Sequence, residues 1–251
     1  MKRYFKGLYM SFGMFCAIPL PYNLWDDSCM NLMLPCFPLV GAVLGAIWWA
    51  LAELLVFCGL HAVPAAAILA VLPFVLTGFL HLDGYMDTSD AVMSRRPLED
   101  KLRILKDPHT GAFSVIMIAM LFTVQFAAVY AAVEKGGRFA LCVAIFAVSR
   151  CASAMSVLCL EKMPQSGYAN MFGQNAKTSH RVFIACTAAL AAGAAYMVAG
   201  LVGLAVAGAT ALGSVLAMWH AYGGLKGVSG DLAGYALVWG ELCGFLALAL
   251  V

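Results

Sequence analysis

Seven stretches of this chain are apolar for the length that a lipid bilayer demands, and that leaves few folds open. They run over 37–57, 63–81, 113–133, 139–160, 182–199, 201–222 and 232–250. A crossing segment needs about 20 apolar residues as a helix, and only helices or closed barrels satisfy the backbone in hydrocarbon. The runs are rich in Ala, Leu, Val and Gly and lack barrel-type alternation. The fold class expected is all-α: a polytopic helical membrane bundle of about seven transmembrane helices. With 63% hydrophobic and 11% charged residues and a mean hydropathy of +0.90, the chain lies far from soluble domains, which are about a quarter charged. Without a linker or a convincing repeat, residues 1–251 read as a single integral membrane domain.

The opening "MKRYFKGLYMSFGMFCAIPLPYN" is basic and then apolar, as a signal peptide is, but no small-x-small site follows cleanly. The Pro-containing "IPLP" ends any helix there. A short N-terminal helix, interfacial or re-entrant, is expected. The runs 182–199 and 201–222 are separated by almost nothing, so they turn tightly or form one broken unit.

Loop charges orient the chain. With Lys2, Arg3 and Lys6 in the cytoplasm, the loops 82–112, 161–181 and 223–231 are cytoplasmic too. Twelve Lys and Arg then lie inside, Lys135 and Arg138 lie outside, and Arg150 falls within a span. The protein is expected in a bacterial or archaeal cytoplasmic (inner) membrane, with its active-site loops on the cytoplasmic side. A net charge of +2 without a basic block gives no reason to expect nucleic acid. Nine cysteines without a CxxC pair, mostly in apolar runs, read as packing residues.

Thirteen acidic residues serve the whole chain, yet "HLDGYMDTSD" (81–90) holds three. Asp83, Asp87 and Asp90 are spaced i, i+4, i+7, which stacks them on one helix face. Such a stack repels itself and needs something positive. Carboxylate oxygens at this density suit Mg²⁺, or Mn²⁺, shared with substrate phosphates. Gly84 offers the backbone a close approach to a ligand. The plainer reading is a solvated turn whose acids pair with Arg95 and Arg96. Downstream, "RRPLEDKLRILKDPHTGAF" carries an amphipathic helix over 98–107, with Lys106 and Asp107 at its break. Its basic residues follow the positive-inside rule or contact phosphate, for which arginine is well shaped. Asp107 is a base or a further ligand.

"GFLHLDGYMDTSDA" followed by "KLRILKDPHTGAFSV" resembles the cobalamin synthase family, the adenosylcobinamide-GDP ribazoletransferases. "FPLVGAVLGA" (37–46) and "GGLKGVSGDLAGYALVWGELCGFLALAL" (223–250) are similar to that family's terminal signatures, so the likeness covers nearly the whole chain. Ala91 stands where the family more often shows Gly, and Leu82 where some members are acidic. The resemblance implies a membrane-embedded, Mg²⁺-dependent transferase of late cobamide assembly. It would condense adenosylcobinamide-GDP with α-ribazole or α-ribazole 5′-phosphate and release GMP. Asp83, Asp87 and Asp90 would hold metal against the pyrophosphate, and a ribose hydroxyl or phosphate of the ribazole would attack. Asp107 or His81 would be the base, although a lone His at a helix end is more often structural.

Elsewhere, Arg150 within a span costs about 2.5–3.5 kcal/mol unless satisfied, so it either binds phosphate or pairs with a buried acid such as Glu241. Lys226 and Asp231, in the glycine-rich "GGLKGVSGD", look like a phosphate-approaching loop. Asn170, Gln174 and Asn175 either read a base or corrin side chain or belong to an ordinary loop. The lipid bilayer is one partner; a homo-oligomer, or a complex with other late cobamide-pathway enzymes, is left open. Two other functions use similar parts. A CDP-alcohol phosphotransferase has an Asp-Gly-x-x-Ala-Arg core, where this chain has Asp87-Thr88. An ion-coupled transporter would place its acids near the midplane on broken, repeated helices.

Overall fold

The computed structural model describes residues 2–22, 24–164, 166–173 and 176–250. Among these residues, eleven α-helices and one 3-10 turn make up the fold, without a strand. The first helix, α1 (Lys2–Phe15), leads through the 3-10 turn Asp27–Leu32 into α2 (Met33–Phe57). Then come α3 (Ala62–Leu76), α4 (Leu80–Met93), α5 (Leu98–Ile104), α6 (Ala112–Glu134) and α7 (Leu141–Cys159). The short α8 (Gly167–Gly173) precedes α9 (Thr178–Ala199), α10 (Leu201–Leu225) and α11 (Gly230–Ala249). Six stretches are long and apolar enough to cross a membrane: Asp27–Phe57, α6, α7, α9, α10 and α11. A seventh exists only if α3 and α4 count together, and they meet at 90°.

That bend corrects the expectation of an unbroken helix over 63–81. After Leu76 the Thr77 hydroxyl donates to the Pro73 and Phe74 carbonyls, 3.0 and 3.2 Å away. Gly78 N–H donates to Val75 O and Phe79 N–H to Phe74 O, a Schellman-type stop that satisfies the last carbonyls. Gly78 and Phe79 are both left-handed, at φ 58° and 63°. Glycine does this freely, whereas Phe79 costs about 1–2 kcal/mol that packing must offset. The 15 residues of α3 reach about 22 Å, short of the roughly 30 Å hydrocarbon core. The chain then turns and runs α4 across the bundle instead of along it.

In the bundle, α7 and α11 are central, with 78% and 72% of their most apolar windows buried, whereas α9 is peripheral at 11%. Close packing relies on small residues, as in membrane helices generally. A Cβ at Gly41 or Gly45 of α2 would collide with the Phe146 or Cys142 carbonyl of α7, so "GAVLG" is the face on which these helices meet. Trp48 Nε1 and Gln125 Nε2 donate to Leu69 O and Ala70 O, pinning α2 and α6 to α3. α9 and α10 turn tightly on Gly200 at φ 59°. Lys135 donates to Ala249 O and Arg138 to Ala199 O, which gathers the ends of α6, α9 and α11 at one pole.

The N-terminal helix leaves Tyr4 and Phe5 exposed and buries Met10 and Phe15. Its Ser11 hydroxyl donates to Met33 O, and Lys6 pairs with Asp26 at 2.9 Å. Ala17 N–H donates to Leu76 O, which brings the end of α1 to the α3–α4 bend.

Of the two roles open to Arg150, the structure shows internal pairing, which corrects the phosphate assignment. Its Nη1 bonds Glu241 and Ser149, and the guanidinium stacks 5.8 and 5.1 Å from the Phe37 and Phe146 centroids. Arg150 and Glu241 are 1% and 3% exposed. A charge this deep requires a counter-charge, and the pair supplies it from within the chain.

Candidate active site

The carboxylates of the α4 stack are joined by a fourth from another helix. Asp83, Asp87 and Asp90 project from α4, and Asp231 stands in the first turn of α11. The charges of Asp83, Asp231 and Asp90 all act on Asp87, and that of Asp83 acts on Asp231. Gly84 makes the meeting of the helices possible: a Cβ there would lie 2.8 Å from Asp231 Cα and 2.9 Å from its carbonyl oxygen. Gly84 therefore faces α11, not a ligand, which corrects the reading of it as a phosphate-approach residue.

Ser229 begins α11, its hydroxyl accepting from Leu232 N–H at 3.3 Å. The loop before it is held by the 161–163 segment, since Met163 N–H donates to Val228 O and Val228 N–H to Glu161 O. Two distant loops thus fix the position of Asp231.

Asp90 has a task that the spacing alone does not reveal. Its Oδ1 accepts from the N–H groups of Phe113 and Ser114, at 3.1 and 3.3 Å, and so satisfies the open end of α6. Its other oxygen lies over Gly111, where a Cβ would come within 1.8 Å. The "DPHTGAF" loop is thereby folded over α4. Asp107, Arg96 and Asp90 line one open cleft of about 380 Å³.

Asp107 accepts from His109 N–H at 3.0 Å and meets the His109 imidazole Nδ1 at 2.7 Å. The backbone N–H first, then the imidazole contact, hold its carboxyl below the ordinary carboxylate range. His109 went unnoticed in the sequence, where "KDPHTG" reads as a turn.

Lys106 shares a second cleft, of about 210 Å³, with Ser229, Gly230 and Asp231. Asp231 and Gly230 also border a third cavity, of about 140 Å³, with His81 on its wall. Arg95, left-handed at φ 54°, and Lys226, the left-handed C-cap of α10 at φ 57°, are exposed and line none of these three. Asn170 spends its amide on the Met163 and Pro164 carbonyls, 3.4 Å away. Gln174 and Asn175 lie outside the described residues.

Among the described residues, none of Asp83, Asp87, Asp90 and Asp231 forms an ion pair with lysine or arginine, so the plainer reading of the stack as self-neutralised by Arg95 and Arg96 fails. Nor do three or more His, Cys, Asp or Glu converge in ion-holding geometry there. The donor set still fits Mg²⁺, which binds through one or two carboxylates and completes its shell with water and substrate phosphates.

Comparison with known proteins bears directly on this arrangement. Residues 7–249 match the family described as Cobalamin-5-phosphate synthase. An adenosylcobinamide-GDP ribazoletransferase of Clostridium botulinum is 35% identical over 250 residues, covering 100% of this chain and 99% of its own. The Clostridium perfringens protein of the same name is 34% identical over 251 residues, covering all of both chains. That of Lachnoclostridium phytofermentans is 31% identical over 258 residues, with 99% and 95% covered. No solved structure matches the chain. On a match that spans the whole helical bundle and its acidic site, this chain belongs to the cobalamin-5-phosphate synthase family.

Proposed function

We propose that this chain is a Mg²⁺-dependent adenosylcobinamide-GDP ribazoletransferase, acting from the cytoplasmic face of the membrane on α-ribazole or its 5′-phosphate. The observation that carries the reading is the set of four carboxylates from two helices that, among the described residues, meet without pairing to a lysine or arginine. A ribose hydroxyl of the acceptor attacks the phosphorus on the cobinamide side of the pyrophosphate. One P–O bond forms, the P–O–P linkage breaks, GMP leaves, and the hydroxyl proton goes to a base. Asp83, Asp87 and Asp231 are the residues that would hold Mg²⁺, which when bound neutralises pyrophosphate charge. Lys106 and Arg96, on clefts flanking that set, supply further positive charge for phosphate oxygens.

The low proton affinity of Asp107 suits it poorly to be the base, because a base works best with a pKa near the working pH. Its carboxylate instead orients the His109 imidazole. In this reading Lys135 and Arg138, by the C-terminal ends of α6 and α11, lie on the outer side, and the three clefts border the N-terminal ends of the same two helices. The test is product formation by purified protein with adenosylcobinamide-GDP, α-ribazole and Mg²⁺. GMP and corrinoid product that vanish with EDTA are expected; equal product in EDTA sinks the metal assignment. A preference for a CDP-linked lipid donor would sink the substrate assignment.

A further inference from the structure

A cleft of about 440 Å³ opens beside the N-terminal helix and shares no lining residue with the acidic set. Arg3 of α1, Asn31 of the 3-10 turn and Lys177 at the start of α9 line it, with Met30 and Met171. Arg3 Nη2 donates to Ser28 O at 2.7 Å, which fixes the guanidinium by one edge. Among the described residues, neither Arg3 nor Lys177 pairs with a carboxylate. The neighbouring Lys6 is already paired with Asp26, and the acid of the lining, Asp27, accepts from Trp25 Nε1 at 2.8 Å. Asn31 Oδ1 is buried without a hydrogen-bond partner. Such an acceptor costs stability until a donor reaches it.

Depth in the membrane selects the occupant. The 3-10 turn opens the apolar stretch Asp27–Phe57, and Lys177 is the N-cap of the apolar helix Thr178–Ala199, both long enough to cross a bilayer. The cleft therefore sits at the ends of two spans, at the level of headgroup phosphates. Beyond it α9 is peripheral, with Val182 and Phe183 of its first two turns 55% and 47% exposed, a surface for acyl chains. Tyr4 and Phe5, next to Arg3, and Trp25 are exposed too, and such rings favour a membrane interface. The charges agree. A cytoplasmic orientation asks for cations on this side, but not for two from remote segments on one cleft. Lysine is also the wrong sign for the N-cap of α9, because a helix N-terminus carries partial positive charge and this one has no side-chain cap. An anion beside Lys177 answers both. Free phosphate would use the cations but leave the two methionines and the Asn31 acceptor unserved.

We propose that this cleft binds the headgroup of an acidic phospholipid, with its phosphate between Arg3 and Lys177 and a headgroup hydroxyl donating to Asn31 Oδ1. The lipid then joins α1 to α9. Ser11 donates to Met33 O and Ala17 N–H to Leu76 O, so a lipid held here braces the helix that meets both α2 and the α3–α4 bend. The proposal needs the membrane fold but not the transferase reading, and its test involves no turnover.

The test titrates the full-length protein, delipidated in detergent, with phosphatidylglycerol or phosphatidylcholine and reads bound lipid by native mass spectrometry. Phosphatidylglycerol should bind more tightly by about 10-fold or more. Arg3→Gln/Lys177→Gln should abolish that preference. Lys2→Gln/Lys162→Gln, which removes the same charge from residues off the cleft, should keep it. Asn31→Leu should weaken phosphatidylglycerol by about threefold or more and leave phosphatidic acid, which lacks the hydroxyls, unchanged. A preference that survives the cleft variant, or falls as far in the control, overturns the site. Displacement of the lipid by equimolar inorganic phosphate overturns it too, in favour of a soluble anion. Unchanged phosphatidylglycerol binding in Asn31→Leu overturns the hydroxyl contact. If the cleft variant does not fold, a phosphatidylglycerol analogue with a photoreactive headgroup decides on the parent protein. Adducts at Arg3, Asn31 or Lys177 are expected, and adducts confined to other regions overturn the site.

Discussion

Arg150 and Glu241 carry their charges deep between α7 and α11, whereas Asp83, Asp87, Asp90 and Asp231 carry theirs where α4 crosses the start of α11. In the first group every charge meets its opposite within the chain. In the second, like charges meet and no basic side chain of the described residues pairs with them. Burial alone therefore does not separate a structural charge from a functional one in this protein; self-sufficiency does. A satisfied pair holds helices together, while an unpaired set leaves room for a ligand of opposite charge, as the proposed function requires.

The most damaging way to break the comparison is at the pair. Glu241→Gln leaves the Arg150 guanidinium buried without a counter-charge and should cost about 3–5 kcal/mol, read as a fall in thermal stability in detergent. The double variant Arg150→Met/Glu241→Leu should recover most of that loss. A double variant as unstable as the single one would mean that the pair does more than neutralise itself.

At the acidic set the expectation reverses. Asp87→Asn should leave the fold intact and lower product formation by on the order of 100-fold or more, measured as GMP released. Full activity in that variant would remove the cluster from the chemistry. Gly84→Leu tests the contact between the two helices. Its side chain would drive into the Asp231 backbone, costing about 1–3 kcal/mol and most of the activity.

Asp90 stands between the two groups, since its charge acts on Asp87 while its oxygen caps α6. Asp90→Ala should lower stability by about 1 kcal/mol through the lost cap. If it instead abolishes activity with no change in melting, Asp90 belongs with the ligands. The smallest effect is expected for Asp107 under acid. Its carboxyl is held below the usual carboxylate value, so its ionised form is present throughout the neutral range and is lost only as pH falls through that lowered value. The acid limb of the activity profile above pH ~5 should therefore be the same in Asp107→Asn; a shifted limb would restore it as the base.

Much of this molecule can be read from its residues in order. A run of 20 apolar residues has one stable answer in lipid, so the spans at α2, α6, α7, α9, α10 and α11 follow from length and hydropathy. The acids of α4 share a face because helical periodicity puts them there. What order along the chain could not decide is where one helix meets another. The bend at Thr77–Phe79 breaks a run apolar enough to continue, and its local signal was Gly78 following Thr77, among weak helix formers that tertiary packing can override. Asp231 joins the acids, Asp90 caps α6, Gly84 serves packing and Arg150 finds Glu241 because contacts 23 to 147 residues apart are settled by packing, whose free energy depends on every element at once. The sequence alone determined the all-helical membrane fold and the presence of an acidic site, because both rest on local periodicity and solvation. Only the tertiary structure decided which charges cancel and which stay open, because a counter-charge acts through distance in space.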